Sequence, residues 1–503
     1  MRVITAIFVA AALLVAASAA GGKEFCHQML APSGATADGS VIMSYGNDFT
    51  GANPLGVDKV ASMPAADYVA SLLPNRCRQI APMMTPEGRD DGTTWPHKRV
   101  RVYLGSRYIT EGGLNEAGLG VTFGAYNYGK AALWKSGNPR GDPWINDGMS
   151  FELWDLFLAL CKTPACAVDV METVAAECGL SEDVVGSMPI GTSDGIWLIE
   201  VVSGHHWIAA RVPSDRVLLQ SNSFRLRELP LSDPATYRAS EGIAEFAERL
   251  GLYDPSSGPL DPAAAFGTTS RSVNMRLSRL FDLLAHGYFA THNLQYESSF
   301  LEFPTFVAPD APITVDALVH ANRDHFEGTP LAKPYTVISP HYDPDYAGEC
   351  RYFTGYMATI VFPAPATGRP PHMLISLGAH CLGSLVPFFE PGASVPQTWR
   401  PYEGAPGATY AFTLAKLIQN NVDSRRGGND RTNYGLFYPT INSMRNVYEG
   451  AMETQLENAL EQMSTMPDGS AQKTALMDST TDSLATGYFS LLTGELAYVN
   501  QKP

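Results

Sequence analysis

The chain has 503 residues, 51 acidic against 35 basic side chains, a net charge of −16, 45% hydrophobic residues and only 17% charged ones. That balance belongs to a globular protein with a large core rather than to a disordered chain. The acidic excess argues against nucleic-acid binding and leaves small-molecule or peptide chemistry open.

Residues 1–20 carry one basic residue, Arg2, then an apolar run over 3–15 and the small residues Ala17-Ser18-Ala19. This pattern predicts a secretory signal with an A-x-A cleavage site. The run is too short to span a bilayer comfortably and no stop-transfer charges follow, so no membrane attachment is expected once it is removed. Residues 21–25 then read as a short pro-piece, and the expected destination is the secretory pathway, either outside the cell or in a lysosomal or vacuolar lumen. From Cys26 to Asp48 the pattern predicts two strands joined by a polar turn at Thr36, Asp38, Gly39 and Ser40. If processing makes Cys26 the first residue, thiol nucleophile and amine base share one residue, since a free α-amine has a pKa of about 8.

This stretch resembles the start of the C69 dipeptidases, relatives of the secernins among the N-terminal-nucleophile (Ntn) hydrolases. The matching residues are Cys26, the Ala35-Thr36-Ala37-Asp38-Gly39-Ser40 turn and Asp48. Many members have an arginine where this chain has Tyr45. Gly113-Leu114-Asn115-Glu116-Ala117-Gly118-Leu119 is similar to an element shared with the choloylglycine hydrolase and penicillin V acylase group, after which Thr122 and Asn127 are candidates to face substrate. Ser221-Asn222-Ser223-Phe224-Arg225-Leu226 matches the family's A-N-x-x-R-[IL] element, and the resemblance implies that Asn222 helps hold an oxyanion. At Thr268-Thr269-Ser270-Arg271 the positional match for a catalytic arginine is Arg271, with Arg276 as the alternative. Arg323-Asp324-His325-Phe326-Glu327-Gly328-Thr329-Pro330 closely follows a signature of the C69 dipeptidases, with His325 read as structural.

Apolar periodicity predicts a helix over 149–178 and a three-stranded meander of 195–202, 207–212 and 217–220. A helix is expected over 239–250, a basic helix from 271, paired strands at 351–362 and 372–377, and helices from 408 onward. His205 and His206 would point to opposite faces of a strand and make poor joint ligands. Cys161-x4-Cys166 is not a zinc spacing, and neither H-E-x-x-H nor a Walker motif occurs, so no metal and no cofactor are expected. The seven cysteines leave at least one unpaired. With Cys26 reserved, six could form up to three disulfides in 15 pairings, or stay as buried thiols.

The resemblance implies an α+β fold, the four-layer αββα Ntn sandwich over 26–403, with a helical C-terminal extension over 404–503. It implies a cysteine-type hydrolase cleaving dipeptides through a thioester, with Cys26, Asp48, Asn222 and Arg271 catalytic. Arg225, Arg276, Thr122 and Asn127 would bind substrate. The expected partners are small peptides, with homo-oligomerisation left open. The alternatives are an N-acyl amide hydrolase, and a non-catalytic secreted relative with Cys26 in a disulfide.

Overall fold

The computed structural model describes residues 26–48, 55–60, 71–84, 87, 97–104, 109–122, 124, 127–133, 148–227, 230, 233–332, 339–342, 348–351, 354–390, 395–400, 409–423 and 433–501. The expected signal and the pro-piece lie outside these residues.

The strands are β1 (His27–Ala31), β2 (Val41–Asn47), β3 (Leu55–Val60), β4 (Arg99–Leu104), β5 (Ile109–Asn115), β6 (Gly120–Thr122) and β7 (Gly186–Thr192). They continue as β8 (Gly195–Val201), β9 (Trp207–Arg211), β10 (Leu218–Gln220), β11 (Tyr237–Ala239), β12 (Tyr356–Phe362), β13 (His372–Leu377) and β14 (Val386–Phe389). Two antiparallel sheets result. The smaller runs β10-β1-β2-β12-β13-β14 and the larger β11-β9-β8-β7-β6-β5-β4-β3. The strand 218–220 therefore leaves the expected meander: β8 and β9 pair in the larger sheet, but β10 crosses over to pair with β1. Its burial on Gln28, Met29 and Leu30 decides this, since three residues alone specify no partner.

The sheets meet face to face. A Cβ at Gly191 of β7 would lie 2.8 Å from Met43 Sδ of β2 and 3.3 Å from Phe362 Cε2 of β12, so only glycine lets the layers approach this closely. Because side chains alternate along a strand, Tyr45 and Asn47 share the inward face of Met43, while Ser44 points outward.

The helices are α1 (Glu152–Leu160), α2 (Pro164–Glu177), α3 (Ile243–Arg249), α4 (Pro262–Phe266), α5 (Arg271–Leu284), α6 (His286–Thr291) and α7 (Val315–Asn322). After the strands come α8 (Ala411–Asp423), α9 (Tyr434–Ser464) and α10 (Ala471–Gln501). The single helix expected over 149–178 is two. Cys161 ends the first, Thr163 caps the second by accepting from the Cys166 N–H, and Pro164 takes its first position. A Cys161–Cys166 disulfide closes this corner, and Cys77–Cys178 ties the far end of α2 to the 75–83 segment. On the larger sheet, Trp154 Nε1 of α1 donates to Thr122 O at 3.1 Å, and Asn115 Nδ2 of β5 reaches Leu158 O at 2.8 Å. On the smaller sheet, Asn322 Nδ2 of α7 donates to the outward Ser44 Oγ at 3.0 Å, and Thr481 of α10 reaches Pro387 O of β14 at 3.0 Å. The C-terminal helices share one continuous apolar core with the sheets, through residues such as Ile418, Phe437 and Leu492. No helix among the described residues is long and apolar enough to cross a membrane.

One buried carboxyl in this helical layer gives a stability test. Glu495 of α10 is fully buried, and neither carboxyl oxygen has a hydrogen-bond partner among the described residues. Burial pushes its pKa up to about 8, against the opposing charge of Arg445. The unfolded chain ionises this group near 4.5, so stability falls as pH rises from about 4.5 to 8 and levels off above that. Glu495→Gln removes the titration. Its thermal midpoint relative to wild type should rise between pH 4 and pH 9, by the equivalent of about 2–4 kcal/mol. Parallel pH profiles of melting for the two proteins would contradict this.

Candidate active site around Cys26

Cys26 sits at the start of β1, 1% exposed, at one end of the seam between the sheets. The inward residues of β2 converge on it. Tyr45 Oη donates to Cys26 Sγ at 3.2 Å, and Asn47 Nδ2 donates both to Tyr45 Oη and to Glu111 Oε2 of β5, each at 3.0 Å. Burial, with Cys26 next in weight, holds the Tyr45 phenol well above its ordinary pKa, so it remains a donor. It offers the sulfur a neutral hydrogen bond. Tyr45→Phe should lower kcat/KM about 5- to 10-fold, the worth of one such bond, with the thermal midpoint little changed. A loss under about twofold would remove the hydroxyl from the site.

On the opposite side, α5 supplies Arg276. Its Nη1 donates to Cys26 O at 3.0 Å and its Nη2 to Asn222 Oδ1 at 2.6 Å. With Oδ1 committed to Arg276, the donor end of the Asn222 amide points the other way. A preorganised amide donor of this kind can stabilise a developing oxyanion.

Asp48 ends β2 in a fully buried position. Oδ1 accepts from Thr354 Oγ1 at 2.6 Å, and Oδ2 has no hydrogen-bond partner among the described residues. Burial raises its pKa to about 6, opposed by Arg351, Arg276 and Thr354, so it is ionised at neutral pH. Behind β1, Gly46 leaves room for the His27 ring, which a Cβ would meet at 2.1 Å. His27 Nε2 lies 2.7 Å from Asn322 Oδ1, and its Nδ1 lies 3.0 Å from Glu349 Oε2. Burial, then the charges of His380 and Arg276, keep His27 well below its usual pKa and neutral.

Several expected site residues are placed elsewhere. Arg271 is at the surface, with a 43% exposed side chain paired to Glu297 at 2.7 Å. It stands at the first position of α5, beside the N-cap Ser270, whereas Arg276 lies in the buried stripe with Val273, Leu277 and Leu280. An arginine inside the apolar stripe of an amphipathic helix was the signal for the buried cation. Arg225 is buried, but its guanidinium donates to Phe300 O at 3.0 Å and to Pro304 O, so it staples the 300–304 segment. Asn127 belongs to a polar network beneath β1. Its Nδ2 donates to Ser187 Oγ at 2.9 Å and its Oδ1 accepts from Gln220 Nε2 at 3.1 Å, around the buried Glu200. Glu200 in turn accepts the backbone N–H groups of Arg225 and Leu226 at 2.8 and 3.0 Å, though burial still raises its pKa to about 7. Thr122 is buried on β6, on the strand face shared with Gly120 that meets the smaller sheet, and its Oγ1 has no hydrogen-bond partner among the described residues.

Sequence reasoning missed Asn47, Glu111 and Arg351. Arg351 is buried and donates to Gly348 O at 3.1 Å and Ser272 Oγ at 2.6 Å, and its charge acts on Asp48. No local motif announces these three.

The eight-residue signature at 323–330 forms an anchored turn behind this site. Arg323 donates to His380 O at 3.0 Å and Gly383 O at 3.1 Å and pairs with Glu449 of α9. Asp324 takes a two-pronged bond from Arg279 of α5, at 2.8 and 2.7 Å. Phe326 adopts φ of +64° and Gly328 of +76°, a reversal that these bonds hold in place. Four elements meet through this one turn. His205 and His206 lie in the turn before β9 rather than on the strand, and they bind Ala175 O and Ser240 Oγ separately.

The buried Cys26 is thus held through its own carbonyl by Arg276, which also fixes the Asn222 amide, and through its sulfur by Tyr45. The sequence model of peptidase family C69 matches residues 25–427, and the chain belongs to that family. It is 30% identical over 235 residues to a probable dipeptidase of Salmonella dublin, a match covering 46% of this chain and 52% of that protein. It is 28% identical over 214 residues to a dipeptidase of Bifidobacterium longum, 39% of each chain. Against probable dipeptidase B of Streptococcus pyogenes serotype M1 the identity is 23% over 222 residues, 44% of this chain and 42% of that one. The matched region thus spans about half the length of the first relative and about two fifths of the others.

Proposed function

We propose that the protein is a cysteine-type dipeptidase of the N-terminal-nucleophile class, built on an αββα Ntn sandwich and active once the chain begins at Cys26. The observation that carries this is the convergence of Arg276, Asn222 and Tyr45 on Cys26, together with the family match. Cys26 sulfur attacks the scissile carbonyl while the α-amine of the same residue takes the thiol proton. The oxyanion that forms is held by the Asn222 amide and backbone donors. Collapse breaks the C–N bond, the α-ammonium returns its proton to the leaving amine, and a thioester to Cys26 remains. Water, deprotonated by the same α-amine, cleaves the thioester and restores the thiol. The buried Oδ2 of Asp48 offers the α-ammonium an acceptor.

A dipeptide presents a charged amine and a charged carboxylate close to the scissile bond, and neither is tolerated in a buried site without a partner. Among the described residues, the buried cations around this site include Arg276 and Arg351, and the buried carboxyls include Glu111, Asp48 and Glu349. Free dipeptides should therefore be cleaved at least about 100-fold faster, in kcat/KM, than the same dipeptides acetylated at the amine or amidated at the carboxyl, a difference of about 3 kcal/mol. Equal rates, or a preference for an N-acyl amide with a bulky apolar acid, would move the assignment to an acylase.

A further inference from the structure

His325, His341, Cys350 and Cys381 converge behind the nucleophile's strand, and the hydrolysis outlined above uses none of them. All four are buried, and one ligand atom from each lies within 4.8 Å of the other three. His341 Nε2 is 3.1 Å from Cys381 Sγ and 3.6 Å from Cys350 Sγ. A tetrahedral zinc with bonds of about 2.3 Å to sulfur and about 2.0 Å to nitrogen sets its ligands about 3.3–3.8 Å apart. The cluster needs only a small contraction to reach that spacing.

The surroundings match the ligands. His341 Nδ1 is held by the Asp423 carboxylate at 2.9 and 3.0 Å, and Asp423 is itself fixed by Ser339 Oγ at 2.6 Å. His325 Nδ1 is held by Glu327 at 3.0 Å. Each carboxylate fixes its ring through Nδ1 and leaves Nε2 as the ligand atom, the usual outer support of a metal-bound histidine. The Cys381 N–H donates to Cys350 Sγ at 3.3 Å, and Tyr434 Oη lies 3.4 Å from Cys381 Sγ, contacts that suit thiolates. Cys381, His341 and Asp423 alone have the layout of a thiol–imidazole–carboxylate triad. A triad, however, gives no reason for a second thiol and a second imidazole to meet at the same point.

We propose that these four residues form a closed, structural Cys2His2 site for one divalent ion of the zinc class. Two thiolates and two imidazoles in a tetrahedral set select zinc over harder cations, and four protein ligands leave no open position for substrate. The ion would join the turn after α7, the 339–342 turn, the 348–351 segment and the turn after β13. Two sequence neighbours of the ligands touch the strand of Cys26: Glu349 lies 3.0 Å from His27 Nδ1, and the His380 ring packs edge-on against His27 at 5.9 Å. The site thus clamps the back of β1. It stands independently of the peptidase reading.

Full-length protein purified from metal-replete cells without chelator should contain about one zinc per chain by elemental analysis. After chelation under reducing conditions, one equivalent of cobalt should give a thiolate-to-cobalt charge-transfer band and the intense d–d bands of a tetrahedral ion, and metal removal should lower the thermal midpoint. Cys350→Ser and Cys381→Ser should each lose most of the zinc and the cobalt spectrum. Should those variants fail to fold, the cobalt spectrum of the wild-type chain decides alone. The proposal is overturned by less than about a tenth of an ion per chain together with no cobalt spectrum. A Cys350–Cys381 disulfide in peptide mapping, or a folded serine variant that keeps its full zinc, overturns it equally.

Discussion

Cys26→Ala is expected to fold and to lose at least about a thousandfold in kcat/KM, some 4 kcal/mol of transition-state stabilisation. Assayed as a chain that begins at residue 26, the alanine variant keeps the α-amine, so the loss isolates the sulfur. Tyr45 Oη points at the sulfur from one side, and Arg276 grips the main chain from the other. Truncating one buried thiol should cost only about 1 kcal/mol of stability, so a near-native melting curve would confirm that the fold persists. N-terminal sequencing of active wild-type protein should read Cys-His-Gln. Activity within tenfold of wild type in the alanine variant, or a fully active chain beginning before Cys26, would end the N-terminal-nucleophile reading.

The second large effect is expected at Arg276. Arg276→Lys keeps a positive charge near Glu349, 3.8 Å away, and so avoids stranding that buried carboxyl as alanine would. A single ammonium, however, cannot span both Cys26 O and the Asn222 amide, which the planar guanidinium reaches with two nitrogens. Residue 26 and the oxyanion donor should then lose their mutual register. A fall of about 100- to 1,000-fold, mainly in kcat, is the expected result, equivalent to about 3–4 kcal/mol. A change confined to KM would instead assign Arg276 to ground-state binding of the substrate carboxylate.

The residues 26–48 show how much of this was local. Short apolar runs on either side of the Asp38-Gly39-Ser40 turn point to a hairpin, and Asp38 ties the turn by accepting from the Ser40 N–H at 3.0 Å. That hairpin carries Cys26, Tyr45 and Asp48 into one place whatever the rest of the chain does. Helix caps were equally legible, because the bonds at Ser270 and Thr314 close within three residues. The element at 113–119 is local too: Asn115 Oδ1 accepts from the Ala117 and Leu119 N–H groups at 3.1 and 2.9 Å, so its sequence implies its turn.

What the chain could not specify locally was decided by packing. The three residues of β10 have no periodicity strong enough to choose a sheet, and they joined β1 because Gln220 completes the polar network under Gln28. Arg271 and Arg276 differ by five positions on one helix. The apolar stripe marked Arg276 as the buried one, but only the docking of α5 against β10 and the start of β1 set that it meets Cys26. The cluster of His325, His341, Cys350 and Cys381 is the extreme case, its members spread over four segments with no paired spacing to announce them. Sequence determined the hairpin, the caps and the position of Cys26, because those depend on neighbours a few residues apart, and the apolar stripe of α5 marked Arg276 as buried. Arg351, the Glu111 partner and the buried tetrad belong to the tertiary structure alone, since burial brings together groups whose separation along the chain carries no signal.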